Sequence, residues 1–186
     1  MHRFDLNRVA ASPWKNGGGS TREIACWPPG ADMEAFAWRI SVATIAQAGP
    51  FSAFAGVDRQ IMLLDGDGVH LRGEGIDHVL GDPWRPFAFS GDVALDCSLL
   101  GGTSTDFNVM ARRGRWQAQV AVRDGRTEAG RTGAGLCMVL RGGWLADGAS
   151  LAPGQGWWWS GSAPQPLDLE PRDPGARLVQ VLLQPV

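Results

Sequence analysis

An all-β chain is what this sequence predicts, and three observations predict it. Turn signals recur at roughly the 8–12-residue spacing of barrels and sandwiches. No segment sustains helical periodicity, whereas several alternate apolar and polar residues strictly. The 186 residues include 26 Gly, 12 Pro and nine dispersed Trp, a composition that suits short strands joined by many turns better than disorder.

Taken in order, residues 1–13 read as a lead-in strand followed by a loop ending at Pro13. In Pro13-Trp14-Lys15-Asn16-Gly17-Gly18-Gly19-Ser20-Thr21-Arg22-Glu23-Ile24, three successive glycines allow close backbone approach to another segment or a ligand. No Gly-Lys-Ser/Thr ending or dinucleotide spacing accompanies them, and strand-like sequence follows, which argues against a phosphate loop. Lys15, Asn16, Thr21 and Arg22 form a dense set of donors around the glycines, either on a connector or in the wall of a polar pocket. Residues 22–27 alternate until Pro28-Pro29-Gly30 stops the strand. Residues 36–46 alternate most cleanly, with Phe36, Trp38, Ile40 and Val42 on one face. The opposite face carries Arg39 and Ser41, placed either at the surface or along a cavity.

Residues 49–68 organise the chain. Gly49-Pro50 opens a turn, Ile61 to Leu64 is short enough for a buried strand, and Asp65-Gly66-Asp67-Gly68 supplies hairpin-turn residues. Asp58 and Arg59 sit at the strand's mouth, where burial of an unpaired charge is costly. Two readings stand: an Arg–Asp pair solvated at a rim, or an Arg59 that awaits an anionic ligand. Val69 to Leu71 returns as a strand, Gly81-Asp82-Pro83 turns into Trp84–Phe89, and Ser90-Gly91-Asp92 turns before Val93–Leu100. Asp106, Asn108 and Met110 share one strand face; Asp and Asn are poor strand formers, so they mark a polar pocket or an edge entering from a turn. Arg112, Arg113 and Arg115 read as solvated hairpin charges. Trp116–Val122 alternates, Asp124-Gly125-Arg126 is a hairpin signal, 124–135 reads as a loop, and Arg177–Leu183 is the last strand.

Leu136–Leu140 followed by Arg141-Gly142-Gly143 parallels Ile61–Leu64 followed by Asp65-Gly66-Asp67. Leu151–Trp157 parallels Leu80–Trp84. These offsets, roughly 70–76 residues, form a weak internal repeat of a strand–turn–strand–turn unit. Trp157, Trp158 and Trp159 alternate faces in a strand and cannot all stack on one ligand, so packing explains them better than a binding platform.

Charge and composition narrow the function. Seventeen basic and nineteen acidic residues leave no footprint for nucleic acid, and no basic run suggests a membrane surface. The N-terminal segment lacks a signal-peptide core, and no 18-residue apolar run is present; a cytoplasmic location is the expectation. Cys26, Cys97 and Cys137 are odd in number and lie in apolar runs, which argues for buried thiols rather than disulfides or a CxxC metal site.

Four of these motifs, 13–24, Trp-Arg-Ile-Ser (38–41), Gly-Pro-Phe-Ser-Ala-Phe-Ala-Gly-Val-Asp-Arg (49–59) and Asp-Phe-Asn-Val-Met (106–110), resemble in kind and order those of the HutD/Ves family of small bacterial cupin-superfamily proteins. The resemblance spans about residues 1–115 and implies a bicupin, two small antiparallel β-barrels of jelly-roll type. The implied domains are 1–115, with the N-terminal motif region, and 116–186, into which the N-terminal strand is free to pair. Most cupins bind a metal through three His and a Glu, but the only histidines are His2, His70 and His78, with none from Gly49 to Arg59. No metal and no cofactor are therefore expected.

The family is associated with histidine utilisation in one branch and stress in another. For the former, the implied partner is a small anionic metabolite such as urocanate or N-formylglutamate, with a regulatory effect. Arg22, Arg39 and Arg59 lie in the three motifs that would line the first barrel, and guanidinium suits bidentate carboxylate recognition. Lys15, Asn16, Thr21, Ser41, Ser52 and Asn108 would add hydrogen bonds, Phe51 and Phe54 an apolar wall. Asp58 or Asp106 would orient an arginine or accept a ligand N–H. Three functions compete: a non-catalytic binder, which the sequence favours; a metal-free enzyme with Asp58, Asp106 or Glu23 as base; and an interaction protein without ligand. The sequence leaves a homodimer open.

Overall fold

A computed structural model describes residues 1–131, 133–161 and 165–186. Strands account for nearly all its regular structure, and no helix of the described residues is long and apolar enough to cross a membrane. The chain divides into two compact units, residues 10–115 and residues 1–9 with 116–186. The first nine residues belong to the unit that holds 116–186. Strand β1 (His2–Asp5) takes them there, through an antiparallel ladder in which His2 faces Trp158 and Asp5 faces Gln155.

The unit 10–115 holds β2 (Ala11–Pro13), β3 (Gly19–Trp27), β4 (Trp38–Ile45), β5 (Gly49–Phe51) and β6 (Val57–Asp65). It continues with β7 (Val69–Gly73), β8 (Ile76–Leu80), β9 (Phe87–Ser90), β10 (Leu95–Leu99) and β11 (Ser104–Arg112). One sheet has the order β2-β3-β4-β11-β6-β9, the other β5-β10-β7-β8. Ile45, Ile61 and Leu63 of the first sheet pack with Val69, Leu71, Leu80, Leu95 and Cys97 of the second, which is the alternation of the strands put to use: every second side chain faces the other sheet.

The other unit adds β12 (Trp116–Arg123), β13 (Thr127–Ala129), β14 (Ala134–Arg141) and β15 (Trp144–Ala146). After these come β16 (Ala149–Leu151), β17 (Gln155–Trp159), β18 (Leu167–Pro171) and β19 (Arg177–Pro185). Its sheets have the orders β1-β17-β14-β19-β12 and β13-β18-β15-β16. Advancing every strand number from β4 to β11 by eight converts the orders β9-β6-β11-β4 and β5-β10-β7-β8 into β17-β14-β19-β12 and β13-β18-β15-β16. The weak sequence repeat is therefore a repeat of eight strands paired identically. In this unit Trp144, Trp159, Leu169 and Leu178 fill the interior, with Trp157 against them. Trp158 points the other way and stacks on His2 with ring centroids 4.2 Å apart.

Several local expectations change. The 124–135 segment is not all loop: β13 pairs with β18, and β14 begins at Ala134. Three residues between glycines are too short for a visible period, and the entry to β14 is small by necessity. A Cβ on Gly135 would lie 2.3 Å from the Val181 carbonyl oxygen and 2.5 Å from the Trp159 ring. Thr132, within that loop reading, lies outside the described residues. Trp84 belongs to a turn, at φ 63°, and the strand starts only at Phe87. Arg112 and Arg113 are not merely solvated. Arg112 donates to the carbonyls of Glu34 and Ala55 and lies over the Phe36 ring. Arg113 gathers Asp58, Asp92 and Ser90. The three cysteines are free and buried.

Candidate functional site

A cleft of about 480 Å³ opens in the unit 10–115 against the inner face of its larger sheet. Register dictates which side chains meet there. Met110 on β11 pairs with Arg39 on β4 and with Arg59 on β6, so both guanidiniums rise from one row of the same face. With strands about 4.8 Å apart, their Cα atoms are separated by about 10 Å. The next row holds Ser41 and Asn108, and the row beyond it Ala43 and Asp106. Thr21 reaches the face from β3, opposite Ala43. Pro50, Phe51, Ser52 and Phe54 form one wall, and Ser12 to Asn16 with Met33 form the mouth.

Arg59 is the chemical centre. It is 5% exposed, and its Nη groups donate to the Ser52 carbonyl at 3.1 Å and to Asn108 Oδ1 at 3.2 Å. The guanidinium carbon sits 4.6, 5.3 and 5.0 Å from the ring centres of Phe51, Phe54 and Phe89. Those faces attract a cation without neutralising it. Arg59 has no ion-pair partner among the described residues, and its Nε has no hydrogen-bond partner there. Burial, with the charge of Arg39, pushes its pKa down to about 9, which still leaves it protonated near neutral pH.

Arg39 differs. Its Nε donates to Glu23 Oε2 at 2.6 Å, and the carboxylate is 44% exposed at the rim. At the mouth, two polar residues that the sequence singled out act as acceptors and hold the loop. Asn16 Oδ1 accepts from the Gly18 N–H at 3.0 Å, and Thr21 Oγ1 accepts from the Trp14 indole at 2.8 Å. Gly19 must lack a side chain, because a Cβ there would sit 2.2 Å from the Thr44 carbonyl oxygen and 2.9 Å from the Trp14 ring. Of the three glycines, Gly19 serves close approach between chain segments, whereas Gly17 sits at φ +73° in open space. Lys15 lies exposed at the same mouth.

The cleft brings together Lys15, Asn16, Thr21, Arg39, Ser41, Phe51, Ser52, Phe54, Arg59 and Asn108. Three other predicted residues are elsewhere. Arg22 pairs with Val42 and so projects from the opposite face to Thr21. Asp58 likewise points away from Arg59, is exposed, and accepts from Arg113 Nε at 2.7 Å; a solvated Asp58–Arg59 pair does not form. Asp106 faces inward, but one row deeper than Asn108, fully buried, and its two oxygens have no hydrogen-bond partner among the described residues. Burial raises its carboxyl to about 7, and burial, with a smaller push from the Asp106 charge, raises the neighbouring Cys97 thiol to about 11. Trp14, Met33 and Met110 are lining residues that sequence reasoning did not assign to the site. Met110's place on the Asp106–Asn108 face was the signal for one of them; the other two depend on loop contacts. Among the described residues no three His, Cys, Asp or Glu side chains cluster as a metal site.

The HutD family model matches residues 6–176. The chain is 41% identical over 160 residues to Protein Ves of Cronobacter sakazakii, covering 86% of this chain and 87% of that one. The structure of HutD from Pseudomonas fluorescens SBW25 superposes with a TM-score of 0.85 at 30% identity, covering 100% of this chain and 98% of that one. A cupin 2 conserved barrel domain protein from Leptotrichia buccalis, 13% identical, aligns with a TM-score of 0.61 over 98% of this chain and 96% of its own. That likeness concerns the fold alone, which is cupin-like and all-β.

Proposed function

The chain belongs to the HutD family, and from that premise we propose that it is a metal-free binder of a small carboxylate, held in the cleft at Arg59. One observation carries the reading: a buried guanidinium, ringed by three phenylalanines, has no acidic partner among the described residues. An uncompensated buried cation is costly, and a planar carboxylate arriving in the cleft offsets that cost with charge-assisted hydrogen bonds. The cleft volume of about 480 Å³ suits a metabolite rather than a polymer.

Binding is favoured over turnover because no carboxyl or imidazole side chain lines the cleft. Asp106 is walled off behind Asn108, Glu23 holds Arg39, and Asp58 holds Arg113. We read each eight-strand repeat as a small cupin barrel, with the ligand in the first. The ligand is placed among the acidic intermediates of histidine breakdown, urocanate or N-formylglutamate, on the family resemblance, and the role as a regulatory accessory.

Isothermal titration with these two compounds, followed by NMR of the recovered ligand, tests the assignment. Saturable binding weakened about tenfold or more in a folded Arg59→Ala variant, about 1.4 kcal/mol, with the ligand returned unchanged, is the expected result. A new product would make the protein an enzyme. Absence of heat with both compounds would refute the histidine-pathway placement.

A further inference from the structure

An edge strand presents backbone N–H and C=O groups that template pairing with another chain, and proline is one residue that blunts such an edge. β2 and β5 end their sheets and contain Pro13 and Pro50, whereas β1 ends its sheet beside β17 and contains no proline. The Leu6 N–H donates to the Gly154 carbonyl at 2.9 Å, in line with the ladder that sets His2 opposite Trp158 and Phe4 opposite Gly156. Even-numbered residues of β1 therefore bond to β17, and the backbone groups of Arg3 and Asp5 point to the open side. The side chains of this edge complement themselves. Arg3 is exposed, and neither Arg3 nor Asp5 has an ion-pair partner among the described residues. Arg3 Nη2 donates only a long bond, 3.4 Å, to the Ser150 carbonyl, and Asp5 Oδ1 accepts from the Asn7 N–H, which leaves both groups further bonding capacity.

We propose that two copies of the protein pair through β1 as a twofold dimer, which continues the sheet β1-β17-β14-β19-β12 from one protomer into its partner. Strands related by a twofold axis run antiparallel, and residues facing each other lie on one face of the joint sheet, so the axis passes through a residue opposed to itself. An axis at Arg3 or at Asp5 sets like charges opposite each other. At His2 it sets Arg3 against the partner's Met1. Only at Phe4 does it set ring opposite ring and Arg3 opposite the partner's Asp5, on both sides of the axis. In that register Arg3 and the partner's Asp5 form the hydrogen-bonded pair and exchange both backbone bonds, as their outward groups require. Their side chains meet as an ion pair, and the two Phe4 rings take the closer, non-hydrogen-bonded site. A contact built on four residues of each strand is small, so the dimer forms only at high concentration and weakens with salt.

Sedimentation velocity of the full chain at low salt, from about 10 µM to about 1 mM, tests this. The expected result is a monomer at the low end and a growing dimer fraction toward the high end. Arg3→Glu sets like charges across the axis and should weaken the dimer about tenfold or more, and Arg3→Glu combined with Asp5→Lys should restore it. Amide hydrogen exchange of the unaltered protein at both ends of the range decides without any variant: the Arg3 and Asp5 amides should exchange several-fold more slowly at the high end. A monomer at every concentration overturns the proposal. So does a dimer in which those two amides exchange as fast as in the monomer, because it is built on another surface.

Discussion

Asp106 should make the protein lose stability as the solution turns from acid to neutral. Its carboxyl is fully buried between the sheets, has no hydrogen-bond partner among the described residues, and has its pKa raised from 3.8 to about 7. A carboxyl raised on folding contributes stability that is fully present below its unfolded value and is lost as pH climbs through its folded value. The unfolded chain surrenders the proton first and gains free energy that the folded chain cannot match. For those two values, linkage gives a loss of roughly 3 kcal/mol between about pH 4.5 and about pH 7.5. Asp106→Asn keeps the shape and removes the titration. Urea unfolding followed by tryptophan fluorescence, on both proteins at three pH values in that window, measures the difference. The wild type should fall relative to Asp106→Asn by about 3 kcal/mol as pH rises. Parallel stability curves would refute the reasoning and would mean that the carboxyl is partnered or hydrated in solution.

Other predictions concern the walls of the cleft. Gly19→Val should cost about 3 kcal/mol in chemical unfolding, because its side chain must enter space held by the Thr44 carbonyl and the Trp14 ring; a loss within about 0.5 kcal/mol would contradict the close approach. Phe51→Leu removes the ring nearest the Arg59 guanidinium, and should cost about 1 kcal/mol in the same assay. Arg113→Ala should free Asp92, whose carboxyl Arg113 and the Gly56 N–H hold down at about 2. NMR titration should then find the Asp92 carboxyl moved up toward its ordinary value, with an unmoved value counting against the network.

The fold class was legible because alternation and turn residues are local properties. Residues 36–46 display a two-residue period in their own sequence, and β4 forms there. The repeat was only faintly legible: two apolar runs followed by glycine turns hinted at it, whereas the identical pairing order of eight strands resides in long-range ladders. The candidate site divides in the same way. Arg59 stood out because a charge beside an apolar run needs an explanation. Asp58, its neighbour in sequence, was set beside it, yet adjacent residues of a strand face opposite sides, and Asp58 is held by Arg113. The same period puts Arg22 away from Thr21. Asp106 was on the predicted face, but its depth depends on which rows the cleft reaches, and no local pattern encodes that. Trp14 and Met33 enter through loops, and Arg112 and Arg113 anchor loops even though Arg113 stays exposed to solvent. Those contacts depend on residues tens of positions apart.

The central claim is that an anion docks on the buried Arg59 guanidinium, and its side-chain Nε–H is the most direct reporter. A ¹H–¹⁵N spectrum of the arginine Nε region, with the Arg59 peak assigned by its loss in Arg59→Lys, can be recorded while carboxylate is added. The account predicts that this peak shifts saturably and exchanges more slowly with water, at the concentration where calorimetry finds binding. Saturable binding with an unmoved Arg59 peak would place the ligand elsewhere and contradict the account.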